Sequence, residues 1–390
     1  MGHWNEAKIK DFAEVKGGKR LPKGKQLIKE PNSHPYIRIR DLGKTKYLQL
    51  NSEYEYVDDE TQQSIARYIV NKGDILISVV GTIGLIGIVG ETLDKANQTE
   101  NCDKIINIKN VLPEYLYYYL ISSFGQDEIR KGTVGAVQPK LPLKNVQDIT
   151  IFYPSIEEQE RIVNILSSVD EKIETNNAIN NNLEQQAQAI YQQMFIDNAR
   201  SNWAEGTLSD IADITMGQSP SGSSYNEDGT GTIFFQGRAE FGFRFPSVRL
   251  YTTEPKRMAR SNDTLMSVRA PVGDLNVAHT DCCIGRGLAA IHSKSNHQSF
   301  VLYTMFSLKK QLDVFNGEGT VFGSINRNSL NDMPILIPSD DILDEFERIV
   351  APMDLTIRNN YDENCRLQDI RDTLLPRLMS GELDVSDIDI

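Results

Sequence analysis

The sequence GDILISV at residues 73–79 recurs as NDTLMSV at residues 262–268, 189 residues further along the chain. A second repeated stretch precedes each copy: IKDFAEV at residues 9–15 corresponds to LSDIADI at residues 208–214. One of the two tryptophans of the chain stands shortly before each of these stretches. A period near 190 residues is far longer than that of a solenoid repeat. The sequence therefore predicts a duplicated module, and such a protein typically binds two similar partners or one partner with two-fold character.

Each copy of the module is predicted to be a mixed α/β structure with many short strands. Apolar and β-branched residues cluster in four short segments of each copy, bounded by residues that favour turns. These predicted strands are residues 36–40, 75–79, 105–108 and 150–153 in the first copy, and 233–235, 264–268, 288–291 and 335–337 in the second. One helix per copy is predicted, at residues 114–129 and 298–316.

A third repeated motif, Gly-Thr-Val, follows each predicted helix, at residues 132–134 and 319–321. Glycine adopts the backbone conformations that tight turns require. We therefore expect Gly132, Thr133, Gly319 and Thr320 to shape turns rather than to contact a ligand.

A long helix is predicted after each module. Residues 157–195 contain neither proline nor glycine, and apolar residues recur at alternating steps of four and three. The first seam comprises Ile162, Leu166, Val169, Ile173, Asn176, Asn180, Leu183, Ala187, Ile190 and Met194. The second comprises Phe346, Val350, Met353, Ile357, Asn360, Asn364, Leu367, Arg371, Leu374 and Leu378. Such seams favour two helices that pack on each other, the first about 55–60 Å long, although two unrelated surface helices are the alternative.

Asparagines occupy the middle of both seams. If the helices run antiparallel, Asn176 should lie opposite Asn364 and Asn180 opposite Asn360, where paired amides would favour one register. The alternative is a solvated stretch where the helices diverge. Pro352 interrupts the second seam and is expected to kink that helix or to break it into two.

Charge is distributed unevenly along the chain, although the net charge is −13. Residues 1–50 hold 12 Lys and Arg against 5 Asp and Glu, whereas residues 339–390 hold 5 against 14. The acidic excess thus lies in the helical segments, and a basic region near the N-terminus can still bind phosphates. No apolar run reaches the roughly 18 residues that a membrane span needs, and the first residues lack the features of a signal peptide, so no membrane partner is expected.

No constellation typical of catalysis is recognisable. The stretch GKRLPKGKQ at residues 18–26 differs from a phosphate-binding loop in its spacing, and Gln26 stands where such a loop has Ser or Thr. The histidines show no metal-binding spacing. The cysteines, at positions 102, 282, 283 and 365, show no zinc or disulfide pattern and suit a reducing cytoplasm. The sequence predicts a chain that binds no metal and catalyses no reaction alone.

Several motifs in this order resemble the specificity subunit of type I restriction-modification systems. They are GKRLPKG at residues 18–24 with YIRIRD at 36–41, IEEQERIV at 156–163, MGQSP at 216–220 with FQGR at 235–238, and LLPRLMSGEL at 374–383. Each motif alone is weakly specific, but their order and duplication extend over nearly the whole chain.

The resemblance implies an α+β fold of two pseudo-symmetric mixed α/β target-recognition domains joined by two long antiparallel coiled-coil-like helices. It places the first such domain at residues 1–155, a central helical spacer at 156–200, the second domain at 201–338, and a C-terminal helical spacer and tail at 339–390. Each domain would recognise one half of a split target in double-stranded DNA, and the helices would set the gap. The implied partners are two methyltransferase subunits, which would bind AdoMet, and nuclease-translocase subunits.

The candidate DNA contacts are basic and amide side chains on predicted loops, which could hold the backbone or hydrogen-bond to base edges. In the first domain they are Lys19, Arg20, Lys23, Lys25, Arg38, Arg40, Lys44, Lys46, Gln138 and Lys140. In the second they are Gln218, Ser219, Gln236, Arg238, Arg269, Arg286, Asn326, Arg327 and Asn328. Any single one could equally be a solvated surface residue.

Two other classes of function compete with this one. A scaffold that recruits two copies of a partner without binding DNA would share the helices but would not need the basic cluster of residues 19–46. A self-contained modification enzyme would need a methyltransferase or nuclease motif, and the sequence shows none.

Overall fold

The computed structural model describes residues 4–317 and 323–385, which form two compact units. Unit 1 comprises the chain up to Glu174 together with the part from Asn364 onward, and unit 2 comprises Thr175–Glu363. This division differs from the four segments predicted from the sequence, because each long helix contributes apolar residues to the cores of both units.

Unit 1 contains three small sheets and five short helices. Its strands are β1 (Asn5–Lys8), β2 (Glu14–Gly17), β3 (Pro35–Ile37), β4 (Tyr47–Leu48), β5 (Glu55–Tyr56), β6 (Ile75–Ser78), β7 (Ile86–Val89), β8 (Asn97–Gln98), β9 (Cys102–Ile106) and β10 (Thr150–Tyr153). Its helices are α1 (Ile9–Phe12), α2 (Asp59–Ile65), α3 (Pro113–Ile121), α4 (Ser123–Gly132) and α5 (Leu143–Gln147). The strand orders are β2-β9-β6-β7-β4, β5-β3-β8 and β1-β10. All of β6 is buried, and so is most of the tyrosine-rich α3. The core of the unit therefore lies between this strand and this helix.

The first long helix, α6 (Ile156–Tyr191), continues into a π-helical turn at Gln192–Asp197 and leads into unit 2. The strands of unit 2 are β11 (Ala204–Thr207), β12 (Ala212–Met216), β13 (Tyr225–Asn226), β14 (Thr232–Phe235), β15 (Leu250–Thr252), β16 (Met258–Ala259), β17 (Thr264–Ser267), β18 (Leu275–Val277), β19 (Cys282–Ile284), β20 (Leu288–Ser293) and β21 (Pro334–Ile337). Its helices are α7 (Leu208–Ile211), α8 (Gln298–Ser307), α9 (Lys309–Asp313) and α10 (Arg327–Asn331), and the second long helix is α11 (Asp340–Met379).

The strand topology of unit 2 repeats that of unit 1. Its sheets have the orders β12-β20-β17-β18, β13-β15-β14-β19-β16 and β11-β21. The first matches β2-β9-β6-β7, and the parallel pair β14 and β19 matches the parallel pair β3 and β8. The duplication predicted from the sequence is therefore confirmed in the order of the strands.

The most similar repeated stretch has a structural explanation. Gly73 and Asn262 both adopt positive φ, and Asp74 and Asp263 each accept a hydrogen bond from the backbone N–H three residues earlier, at 2.8 Å in both units. One such turn precedes β6 and the other precedes β17, and each directs its strand into the sheet. The repeated motif is thus a strand-entry turn and belongs to the scaffold.

One predicted strand is shorter than the sequence indicates, and two predicted helices are divided. The strand predicted at residues 36–40 ends at Ile37, because the Arg38 N–H donates to Asp41 Oδ2 at 2.7 Å and starts a 3-10 turn. The helix predicted at 114–129 is interrupted at Ser122, whose backbone is extended and whose hydroxyl caps α4. The helix predicted at 298–316 consists of α8, α9 and a final 3-10 turn.

Every predicted seam position is buried or half-buried. Within unit 2 the helices are antiparallel, since Tyr191 packs on Phe346 while Asn360 Nδ2 donates to Asn180 Oδ1 at 2.8 Å. The predicted pairing of Asn180 with Asn360 is confirmed. Asn176 Nδ2 donates to Glu363 Oε2 at 2.8 Å, and its predicted pairing with Asn364 stays a prediction.

Helix α11 is continuous from Asp340 to Met379, so the break predicted at Pro352 does not occur. Proline in a helix costs about 3 kcal/mol because it removes one backbone hydrogen bond and crowds the preceding turn. Val350 and Ile357, which are buried on either side of Pro352, hold both turns against the core of unit 2. In the part of the chain that the structure describes, no helix is long and apolar enough to cross a membrane.

Candidate nucleic-acid interface

The candidate interface of unit 1 lies at one edge of its sheets. Strands β2 and β6 end at this edge and β9 begins there, because Gly17 pairs with Asp103 and Ser78 pairs with Cys102. The parallel strands β3 and β8 end beside it, where the Thr99 N–H donates to Ile37 O at 3.1 Å. Rim 1 is the set of loops that leave this edge, namely residues 18–20, 38–40, 79–81, 99–101 and 134–140.

Backbone contacts hold the loops of rim 1 together. Residues 134–140 form a closed loop, because Val134 and Lys140 exchange two backbone hydrogen bonds of 2.8 and 2.9 Å. The next residue, Leu141, donates its N–H to Val79 O at 2.9 Å. Thr133 Oγ1 donates to Ile129 O at 2.8 Å and so shapes the turn that leads into this loop. The rigid strand ends therefore position the exposed side chains of the rim.

Six of the candidates in unit 1 lie on rim 1: Lys19, Arg20, Arg38, Arg40, Gln138 and Lys140. All of them except Arg38 are exposed. Arg20 Nε donates to Glu100 at 2.7 Å. Arg38 forms an ion pair with Glu55, and Arg40 Nη2 donates to Glu53 O at 2.8 Å. The rim is thus a network of guanidinium and carboxylate groups with two exposed lysines.

Two carboxyl groups beside rim 1 have pKa values close to neutral. Burial raises the pKa of Asp41 to about 6, and burial raises the pKa of Asp103 to about 6 as well. Both groups ionise as the pH rises through that value, so this edge gains up to two negative charges above pH 6. Phosphate binding at rim 1 should accordingly be favoured at mildly acidic pH.

Three candidates in unit 1 are surface cations outside the rim. Lys23 is exposed in the turn at residues 22–25, and Lys25 in the same turn binds Asp58 at 3.1 Å and also Glu60. Lys44 is exposed, with Glu53 3.7 Å away. These charges lie near rim 1 in sequence, but acidic neighbours balance Lys25 and Lys44.

Lys46 was predicted to contact DNA, and the structure corrects this. Its side chain is only 5% exposed. Its Nζ donates to Ser167 Oγ at 2.8 Å and lies 5.5 Å from the ring centre of Tyr118. The Tyr118 hydroxyl in turn donates to Asp170 Oδ2 at 2.7 Å. Lys46 therefore belongs to a buried polar network that fixes the module to α6.

Unit 2 has the same buried network, which the sequence did not reveal. Arg244, 5% exposed, lies with its guanidinium 5.8 Å from the ring centre of Tyr303. The Tyr303 hydroxyl donates to Asp354 Oδ1 at 2.9 Å, and Arg244 Nη1 donates to the same oxygen at 3.0 Å. A second carboxylate, Glu184, lies 2.9 Å from Arg244. In each unit a cation, a tyrosine and an aspartate thus anchor the module to the long helix that follows it.

Unit 2 has a corresponding edge. Here β12 and β17 end and β20 begins, since Met216 and Met266 both pair with Ala289. Rim 2 is the set of loops at residues 217–219, 236–238, 268–270, 285–287 and 323–325. They are held by hydrogen bonds such as Gly285 N to Phe235 O at 2.8 Å and Ala270 N to Gly323 O at 3.0 Å.

Six candidates in unit 2 lie on rim 2: Gln218, Ser219, Gln236, Arg238, Arg269 and Arg286. Arg269 and Arg286 are exposed and form no ion pair with any residue that the structure describes. Arg238 forms an ion pair with Asp274. The Arg286 N–H donates to Ser219 Oγ at 3.3 Å. Rim 2 thus presents two unpaired guanidinium groups among amide and hydroxyl side chains.

The last three candidates, Asn326, Arg327 and Asn328, lie at the start of α10 just beyond rim 2. Arg327 and Asn328 are exposed. Asn326 accepts a hydrogen bond from Ser329 N at 2.9 Å, so its side-chain oxygen caps the helix. Gly319 and Thr320, predicted to shape a turn, lie outside the described residues.

The rims are suited to binding and orientation. Among residues 4–317 and 323–385, no group of three or more His, Cys, Asp and Glu side chains could hold a metal ion. The rims instead offer guanidinium forks, ammonium groups and amides, which are the groups that bind phosphates and base edges.

Comparisons with known proteins agree with this arrangement. A family model described as the type I restriction modification DNA specificity domain matches residues 1–185 and again residues 200–360. The chain is 29% identical to the putative type I restriction enzyme MjaX specificity subunit of Methanocaldococcus jannaschii, over 98% of this chain and 94% of that protein. It is 24% identical to the HindI specificity subunit of Haemophilus influenzae, over 90% of this chain and 95% of that protein.

The fold is also similar to a crystal structure of a type I restriction-modification S subunit from M. genitalium. The TM-score is 0.60 at 17% sequence identity, and the match covers 96% of both chains. The family model extends over most of the chain and matches it twice, in step with the repeated topology. The chain therefore belongs to the family of type I restriction-modification DNA specificity subunits.

Proposed function

We propose that this chain is the sequence-recognition subunit of a type I restriction-modification complex, and that each unit recognises one half of a split, asymmetric DNA target. The observation that carries the proposal is the pair of rims, which have the same construction but different side chains. The same construction favours the same mode of binding in both halves. The different side chains favour different bases, and hence an asymmetric target.

Residues 1–155 and 201–338 would then be the two target-recognition domains, and residues 156–200 and 339–390 the helical spacers. The family supports this division, and so do the two anchoring networks, because they fix each module to the long helix that follows it. Helices held in this way would act as a ruler that sets the gap between the half-sites.

The chemistry is proposed to belong to the partners. Two methyltransferase subunits, each with bound AdoMet, would dock one per half and methylate adenine, and nuclease-translocase subunits would join that core. The chain itself would position these subunits on the DNA and catalyse no reaction.

A reconstitution experiment tests this proposal. The purified chain with labelled AdoMet is expected to show neither AdoMet binding nor methyl transfer to DNA. After addition of the partner methyltransferase, adenines in one split sequence should become methylated. Methyl transfer by the chain alone, or methylation without sequence preference by the complex, would contradict the proposal.

A further inference from the structure

The two rims contain loops at equivalent positions. In unit 1, residues 99–101 lead from β8 into the interior strand β9, and in unit 2 residues 285–287 lead from β19 into the interior strand β20. A Cβ on Gly18 would lie 2.0 Å from Thr99 O, and a Cβ on Gly217 would lie 2.1 Å from Gly285 O. The same close approach in both units places the next loop residues, Glu100 and Arg286, at equivalent positions.

These equivalent positions carry opposite charges. The Glu100 side chain is 29% exposed, and Arg20 Nε lies 2.7 Å from its carboxylate. Burial works against ionisation, but the hydrogen bond from Arg20 and further donors hold the pKa of the Glu100 carboxyl below its usual value. In unit 2 the position of Arg20 is taken by Ser219, which accepts from the Arg286 N–H. The exchange therefore involves a pair of residues, Arg20 with Glu100 in one rim and Ser219 with Arg286 in the other.

Arg286 lies between two glycines that pack closely against a neighbouring strand end. A Cβ on Gly285 or Gly287 would approach the backbone of Gln236 to 2.8 or 2.9 Å. Both glycines are thus needed for the loop to lie against the end of β14, and Arg286 provides the one side chain of the loop. The Arg286 side chain is exposed, and so are those of Gln218 and Gln236, whose backbones hydrogen-bond to Ile284 and Gly287 on either side of Arg286.

The chemistry of DNA distinguishes the two positions. A carboxylate is repelled by phosphates, so on a DNA-binding rim its favourable contact is with a base amino group, such as cytosine N4. An arginine without an acidic partner can donate two parallel hydrogen bonds to guanine O6 and N7. A positioning role on phosphates fits Arg286 in principle but does not fit Glu100.

We propose that Glu100 and Arg286 are specificity-determining residues at equivalent positions of the two rims, with Glu100 recognising a base amino group, cytosine foremost, and Arg286 recognising guanine in the other half-site. This inference rests on the proposed function. Arg20 acts as a positioning residue that orients the Glu100 carboxylate.

The test uses the full chain in complex with its methyltransferase subunits and AdoMet. The substrate is a DNA library with both half-sites randomised, and the methylated adenines are located by single-molecule sequencing. Glu100→Gln is expected to reduce the preference at one base pair of the first half-site by about 5-fold. This is the lower end of the roughly 5- to 150-fold discrimination that a good bidentate contact supports, because the carboxylate accepts a single hydrogen bond from cytosine N4. Arg286→Gln should reduce the preference at one guanine of the second half-site by about 10-fold, and each variant should leave the other half unchanged.

Matched controls are Glu91→Gln and Arg260→Gln, since both side chains are exposed at the opposite edge of the sheets and should leave every base preference unchanged. Arg286→Lys keeps the charge but loses the guanidinium fork, so it should relax the preference even if Arg286→Gln fails to fold. Arg20→Ser with Glu100→Arg introduces the residues of rim 2 into rim 1 and should shift the preference at that base pair towards guanine.

The outcomes separate the inference from the function on which it rests. If the wild-type complex recognises a split target and all of these folded variants keep its base preferences while losing activity uniformly, the inference is wrong and the proposed function stands. If the wild-type complex methylates DNA without sequence preference, the proposed function fails and the inference fails with it.

Discussion

Asp354→Ala is expected to lower the free energy of unfolding by about 2–4 kcal/mol, because it removes one of the two carboxylates that pair with the buried Arg244 and leaves the hydroxyl groups of Ser299 and Tyr303 without their acceptor. Asp354 accepts hydrogen bonds from Ser299 Oγ at 2.7 Å, Tyr303 OH at 2.9 Å and Arg244 Nη1 at 3.0 Å. Arg244 would retain Glu184 at 2.9 Å but would lose its ion pair with α11. Urea unfolding followed by circular dichroism measures the change.

Asp344→Ala is a matched control. Asp344 is also on α11 and binds one residue of the module, His297 at 2.9 Å, but its side chain is 76% exposed. Asp344→Ala should change the free energy of unfolding by less than about 1 kcal/mol, since solvent already screens the interaction. Equal effects of the two substitutions would show that the Arg244 network does not anchor the module.

The second large effect concerns the gap between half-sites and rests on the proposed function. Seven residues inserted into both long helices, after Glu174 in α6 and after Glu363 in α11, should widen the permitted gap by about three base pairs. Seven residues add about 10.5 Å of helix, and one base pair rises about 3.4 Å. One heptad preserves the seam, so the bases recognised should not change. Sequencing of methylated adenines measures both the gap and the bases.

The control for this experiment is the same insertion into α6 alone. It lengthens one helix without the other, so the two seams cannot keep their register on both sides of the insertion. Either the pair Asn180–Asn360 or the pair Asp170–Arg371 must separate, and modification should be abolished. The ruler hypothesis would be contradicted if the double insertion left the gap unchanged and altered the bases instead.

The repeated scaffold could be predicted because its signals are local. Residues 75–78 and 264–267 are buried throughout, and their contiguous apolar residues distinguish these strands in the sequence. The two-residue strands β5 and β8 are too short for any alternation to be visible, so the sheet β5-β3-β8 of unit 1 could not be predicted completely. The continuity of α11 through Pro352 could not be predicted, because the burial of Val350 and Ile357 depends on the rest of unit 2.

The candidate site was predicted only in part for the same reason. Six of the candidates of each unit do lie on one rim, because loops at strand ends carry their exposed polar residues to a common edge. Lys46 resembles its exposed neighbours in sequence, but its burial depends on Tyr118 and Ser167, 72 and 121 residues away. Glu100 was not among the candidates. The sequence alone does not show that this acidic residue lies in a loop of the rim and pairs with Arg20.

The most direct measurement of the central claim is the methylation pattern of a chain in which residues 201–338 also replace residues 1–155. Arg244 and Tyr303 of the inserted copy should take the places of Lys46 and Tyr118, and the Tyr303 hydroxyl should donate to Asp170 of α6 as Tyr118 does in the native unit 1. If each unit recognises its own half-site and the helices are antiparallel, the new target should be symmetric, with the former second half-site present twice in inverted orientation. Retention of the original first half-site, or a change in both halves, would contradict independent recognition by the two units.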